Sequence, residues 1–184
     1  RSLNGDRMKK IIAANWKLNK NPQEARQFCG ALKKVLQSDS SKQVVIFPSA
    51  TCLESLSQEL SGSAFQWGSQ NCYQEAKGAF TGEISAKTIA DMGGQWILLG
   101  HSERRSLFAE TDTVIASKLK LVQSLGLKPM LCIGETLQER ESDKTNEVLL
   151  RQLKQGLRRI RLGRPSIPEV CGGSVEPREH RRDR

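Results

Sequence analysis

Polar side chains that could work together on a small anionic carbonyl compound follow three short apolar runs in this sequence. Asn15 and Lys17 come after KIIAA at 10–14, and His101 and Glu103 come after WILL at 96–99 and Gly100. A further run, PMLCI at 129–133, ends in Gly134 and Glu135. A fixed lysine can neutralise a phosphate or a developing oxyanion, and an imidazole can polarise and protonate an oxygen. The set lacks a base to take a proton from carbon. On spacing alone His101, one of two histidines, reads equally well as a surface or loop residue, and most lysines are simply solvated.

These groups need elements to carry them. Four apolar residues in a row, with no alternation, suit a strand buried on both faces. In a parallel α/β barrel, catalytic groups sit just past the carboxyl ends of such strands. Strands are expected at 10–14, 44–47, 64–67, 96–99 and 129–133. Asn21-Pro22-Gln23-Glu24 reads as a helix start, with an Asn cap, Pro at the first position and Glu three past the cap; Ala25, Phe28, Leu32 and Leu36 then recur at helical spacing. Thr51 with Glu54 forms a second capping-box pattern ahead of Leu53, Leu56 and Leu60. A long polar segment, 68–83, precedes a helix through Ile89 and Met92 that stops at Gly93. Further helices are expected at 111–125, with Ile115, Leu119 and Val122 on one face and Gly126 as the stop, and at 147–157, with Leu149, Leu150, Leu153 and Leu157 apolar. Strand then helix repeats five times at roughly 30-residue spacing, which predicts parallel βα units. A doubly wound sheet and a (βα)8 barrel both begin this way.

The 184 residues suffice for one domain with a sizeable core. No apolar run approaches the roughly 18 residues of a membrane span, and RSLNGDR at 1–7 reads as leader or read-through sequence ahead of a Met8 start. Five scattered cysteines without a C-x-x-C argue for reduced thiols in a cytoplasmic protein and against a zinc site. The net charge of +9 is concentrated at the ends: residues 158–184 hold eight arginines against four acidic residues. That stretch has no Phe, Tyr or Trp for base stacking, so nucleic acid is not an expected partner. No G-x-x-x-x-G-K-[ST] or G-x-G-x-x-G supports a nucleotide cofactor.

AANWK at 13–17, QN at 70–71, GAFTGEISA at 78–86, LLGHSERR at 98–105 and CIGE at 132–135 resemble triosephosphate isomerases, in order and at that family's spacing. The resemblance covers residues 8–157. It implies a (βα)8 barrel of the TIM type, here incomplete with five to six units, in a homodimer. The implied enzyme is a cofactor-free isomerase that interconverts dihydroxyacetone phosphate and glyceraldehyde 3-phosphate in glycolysis and gluconeogenesis. It also implies roles for single residues. Asn15 and Lys17 bind substrate, and Lys17 stabilises transition-state charge. His101 acts as the neutral electrophile that this family pairs with a glutamate base. Glu103 supports it, bonded to Lys17 or a nearby serine. Cys132 is a buried thiol behind the base, and Arg104 and the segment 70–83 are interface elements, with Thr81 reaching the partner's site. A structural salt bridge is the plainer reading of Glu103 and Arg104.

The likeness falters at the catalytic glutamate. Glu176-Pro177 stands close to the expected distance past Leu157, but Val175 replaces the usual Tyr and no V-W-A-I-G-T-G hinge follows. Alternatively, Gly172, Gly173 and Ser174 with Val175 resemble the phosphate-binding G-G-S-V of the family's eighth strand, which would require the sixth and seventh units to be deleted. The first reading needs no large deletion and is preferred. The basic stretch 158–184 is expected to be a disordered tail or a disrupted sixth unit, left by a reading frame that departs from its natural sequence near residue 158. An inactive remnant, with a polyanion-binding tail as a more distant reading, is the alternative to the enzyme.

Overall fold

A computed structural model describes residues 10–36, 41–158 and 169–172, the last four by backbone alone. Its strands are β1 (Lys10–Asn15), β2 (Lys42–Phe47), β3 (Gln66–Ser69), β4 (Trp96–Leu99), β5 (Lys128–Ile133) and β6 (Glu169–Gly172). All neighbours pair in parallel, in chain order from β1 to β6. The helices are α1 (Pro22–Val35), α2 (Leu53–Glu59), α3 (Ala86–Asp91), α4 (Ser102–Leu107), α5 (Asp112–Ser124), α6 (Leu137–Glu141) and α7 (Thr145–Leu157). This is a run of βα units with every strand's carboxyl end on one rim, as in an incomplete TIM barrel.

Two apolar layers cover the two faces of the sheet. On the outer face Ile46, Trp67, Ile97, Leu99 and Leu131 pack under Cys29, Leu56, Ile89, Ile115 and Leu119 of the helices. On the inner face Val45, Phe47, Trp96, Leu98, Met130 and Cys132 form a second cluster. The WILL strand is therefore buried on both faces, Trp96 and Leu98 inward, Ile97 and Leu99 outward. Gly68 permits the tight seam beside it: a Cβ there would stand 1.9 Å from the Trp96 carbonyl oxygen.

Local signals hold at α1, where Asn21 accepts from the Glu24 amide and Glu24 returns the bond to the Asn21 amide. Several expectations are corrected. The third strand lies at Gln66–Ser69 rather than 64–67, because the Gly68 that reads as loop is a close-approach position. The Thr51–Glu54 capping box does not form: Ala50–Cys52 makes a 3-10 turn, the Thr51 hydroxyl faces that of Ser49, and Glu54 accepts from Gln58. Helices α4 and α6 were not expected; they are short, bury no side chain and so leave no apolar period. In α7 the buried positions are Val148, Gln152 and Gly156, while Leu150 is exposed. Gly156 seats this helix on Leu131, and Gln152 bonds both backbone groups of Gly134. Within the basic stretch the described residues Glu169–Gly172 form β6, which pairs with β5 and places Gly172 level with Ile133. Glu176, Gly173 and Ser174 lie outside the described residues.

Candidate active site

The parallel register decides which side chains meet. Asn15 is level with Phe47, and Leu99 with Leu131, so the turns after β1 and β4 open onto the same rim. There Asn15, Lys17, His101 and Glu103 line one open cavity of about 770 Å³, with Gln70, Asn71 and Glu83 also on its wall. The lysine and the imidazole thus share a pocket.

Lys17 takes a left-handed backbone, φ +54°, in the turn after β1. Its amide donates to Asn15 Oδ1 at 3.0 Å and its ammonium to Glu103 Oε1 at 2.5 Å. Both charged groups are about two-fifths exposed. A pair so open to water adds about 1 kcal/mol or less to stability; its consequence is where the ammonium stands. Glu103 therefore bridges α4 to the turn after β1, as the plainer reading expects, and it also lies on the cavity wall.

His101 caps α4. Its Nδ1 accepts from the Glu103 amide at 3.2 Å, so that nitrogen carries no proton and the neutral ring holds its hydrogen on Nε2. Burial pushes the imidazole below its ordinary 6.5; Glu103, 3.5 Å away, pulls it upward, and Lys17 pushes it down. Desolvation is the leading cause, ahead of any charge. The strand end beneath is fixed by Arg105, which donates to the carbonyls of Gly100 at 2.7 Å and Cys132 at 3.2 Å and to Asp112 at 2.6 Å. Gly100 turns the chain at φ +71°.

Of the other expected residues only Arg104 is also on the cavity wall. Glu135 is absent from the cavity wall: it is buried and bound by Arg140 at 2.9 Å, and the hydrogen bond from its own backbone, followed by that from Arg140, holds its carboxyl below the usual range. Arg104 lies over the Phe108 ring and 3.4 Å from Glu110. Thr81 is exposed on the loop 70–84, whose base is closed by Tyr73 donating to Ile84 and Ser85 to Ala76. Cys132 is a buried thiol in the inner cluster. Among the described residues no group of three His, Cys, Asp or Glu is placed to hold a metal ion, and no helix is long and apolar enough to cross a membrane.

Behind the cavity the sequence reading missed a buried ionic chain. Lys118 bonds Glu110 and donates to Asn71 Oδ1 at 2.8 Å, and both charged groups are almost wholly buried. The signal was present: Lys118 sits on the apolar stripe of α5, between Ile115, Leu119 and Val122, where a charge needs a partner. Gln70 was quoted only as part of a motif and given no role.

Comparison with known proteins settles the family. The family model for triosephosphate isomerase matches residues 10–168. The chain belongs to the triosephosphate isomerase family. It is 54% identical over 160 residues to the triosephosphate isomerase of Bdellovibrio bacteriovorus, covering 87% of this chain and 66% of that protein. Those of Endomicrobium trichonymphae and Syntrophotalea carbinolica are 41% and 47% identical over 163 and 147 residues, 89% and 80% of this chain and 65% and 58% of theirs. The chain thus spans about two thirds or less of the length of these triosephosphate isomerases.

Proposed function

We propose that this chain binds a triose phosphate and carries the proton-shuttling side of an aldose–ketose isomerase site, interconverting dihydroxyacetone phosphate and glyceraldehyde 3-phosphate through an enediolate. The observation that carries this reading is the shared cavity of Lys17 and His101. Lys17, steadied by Glu103, offsets phosphate and enediolate charge, and Asn15 orders the same turn. His101 presents Nε2–H to the substrate oxygens, and its neutrality suits an electrophile that gives up and regains a proton without forming an imidazolium. Glu176 is the assigned base; Gly172, Gly173 and Ser174 are the competing assignment of that stretch, as phosphate-holding amides. The reaction uses no cofactor, and its setting is cytoplasmic glycolysis and gluconeogenesis.

We assign the partner as a second copy of the chain. Leu18 is 96% exposed, Leu107 74% and Phe108 64%, and all three line the cavity. Thr81 and Arg104 belong to the same proposed interface. A second reading, ligand binding without turnover, is favoured by Glu103: it is a carboxylate on the cavity wall already engaged by Lys17.

A coupled assay on the purified chain, run beside Glu176→Gln and Lys17→Met, separates these readings. Turnover that falls at least about a thousandfold in Glu176→Gln supports the isomerase with that base. Turnover unchanged by Glu176→Gln removes Glu176 as the base. No turnover, with phosphate-ligand affinity lost in Lys17→Met, leaves the binding reading.

A further inference from the structure

We propose that Gln70 is a positioning residue for Lys17: its side-chain amide sets the backbone from which the ammonium reaches the cavity. The proposal rests on the reading of Lys17 as the substrate's cation. A non-glycine residue in the left-handed region persists only where its surroundings over-determine it, and Lys17 is such a residue. Its amide is held locally by Asn15. Its carbonyl is held from another strand: Gln70 Nε2 donates to it at 2.9 Å and also to the Phe47 carbonyl at 2.9 Å. One NH2 group therefore ties the turn after β1 to the end of β2. The Phe47 carbonyl also accepts from the Trp16 amide at 3.0 Å, so both ends of the turn refer to one fixed atom.

Gln70 is itself anchored. It follows the last residue of β3, and its neighbour Asn71 is gripped through its side chain by the buried Lys118 and through its carbonyl by Ser69 at 2.7 Å. Lysine has four rotatable carbons, so the bond to Glu103 alone fixes only the tip of the chain. With the carbonyl released, the ammonium can keep Glu103 and still leave the place where the phosphate charge arrives. The sequence offers QN at 70–71 as a motif without a task; this geometry supplies one.

The test measures 2-phosphoglycolate affinity by calorimetry for the wild-type chain, Gln70→Leu and Gln70→Glu, each in Lys17 and Lys17→Met backgrounds. Gln70→Glu keeps the size of the side chain and removes the donors, so it serves if Gln70→Leu fails to fold. With Lys17 present, either substitution should weaken binding on the order of 10- to 100-fold; in the Lys17→Met background it should add nothing. An equal loss in both backgrounds would make Gln70 a general structural residue and overturn the proposal, as would no loss in either. A second readout is independent of ligand: the Lys17 HN–Hα coupling and 13Cα shift should leave left-handed values in Gln70→Glu. If the wild-type chain binds no phosphoglycolate, the reading of Lys17 fails, and these shifts decide Gln70 alone: a change upholds it, and none overturns it.

Discussion

Burial holds the His101 imidazole below 6.5, and that shift has a consequence for folding. As pH falls the unfolded chain takes up the proton first, because its histidine is unperturbed. Stability from the neutral ring is therefore complete above about pH 6.5 and declines as pH falls from there through the folded-state midpoint. Urea unfolding of the wild-type chain should lose stability across this window, and His101→Gln should lack that component. An NMR titration should place the His101 midpoint below that of a free imidazole. A midpoint above 6.5 would mean that Glu103, rather than desolvation, governs the ring.

At the scale of elements, the ionic chain behind the cavity joins the middle of α5, and Glu110 just before that helix, to the loop after β3. Removing one member of a buried pair strands the other, which costs about 3–5 kcal/mol. Lys118→Met should lower the free energy of unfolding in urea by about that much, and pairing it with Glu110→Gln should recover part of the loss. A single variant that costs under about 1 kcal/mol would show that the pair is solvated in solution. This scale also shows what the sequence made legible. Strands buried on both faces and helices with a continuous apolar stripe announce themselves, as WILL and Ile115–Leu119–Val122 do. Helices α4 and α6 were invisible because they bury nothing. Gly68 misled because a residue chosen for closeness to Trp96 looks like one chosen for flexibility. In α7 the leucines drew the eye, while a glutamine and a glycine face the sheet. Of the site, Lys17, His101 and Glu103 were readable from their place after strands; Gln70 was not, since its partners are carbonyls, which every residue has.

For the whole molecule, the exposed apolar groups around the cavity carry the prediction. Leu18, Leu107 and Phe108 are exposed together on the cavity rim, and grouped exposed apolar side chains are the kind of surface that marks an interaction site. Sedimentation of the wild-type chain should give a dimer, and Leu18→Glu with Leu107→Glu should give a monomer with unchanged circular dichroism. A wild-type monomer at high micromolar concentration would end the assignment of a second copy as partner. On the helix-facing side of the sheet Ile12 of β1, level with Val44, is also half exposed.

Arg105 acts as a three-pronged clasp. Its fork reaches the last carbonyl before the histidine, a carbonyl of the adjoining strand and the acid that opens the next helix. A lysine there could hold one of the three. The imidazole's perch would then move independently of its neighbour, so position 105 governs how precisely His101 is held although it is not on the cavity wall.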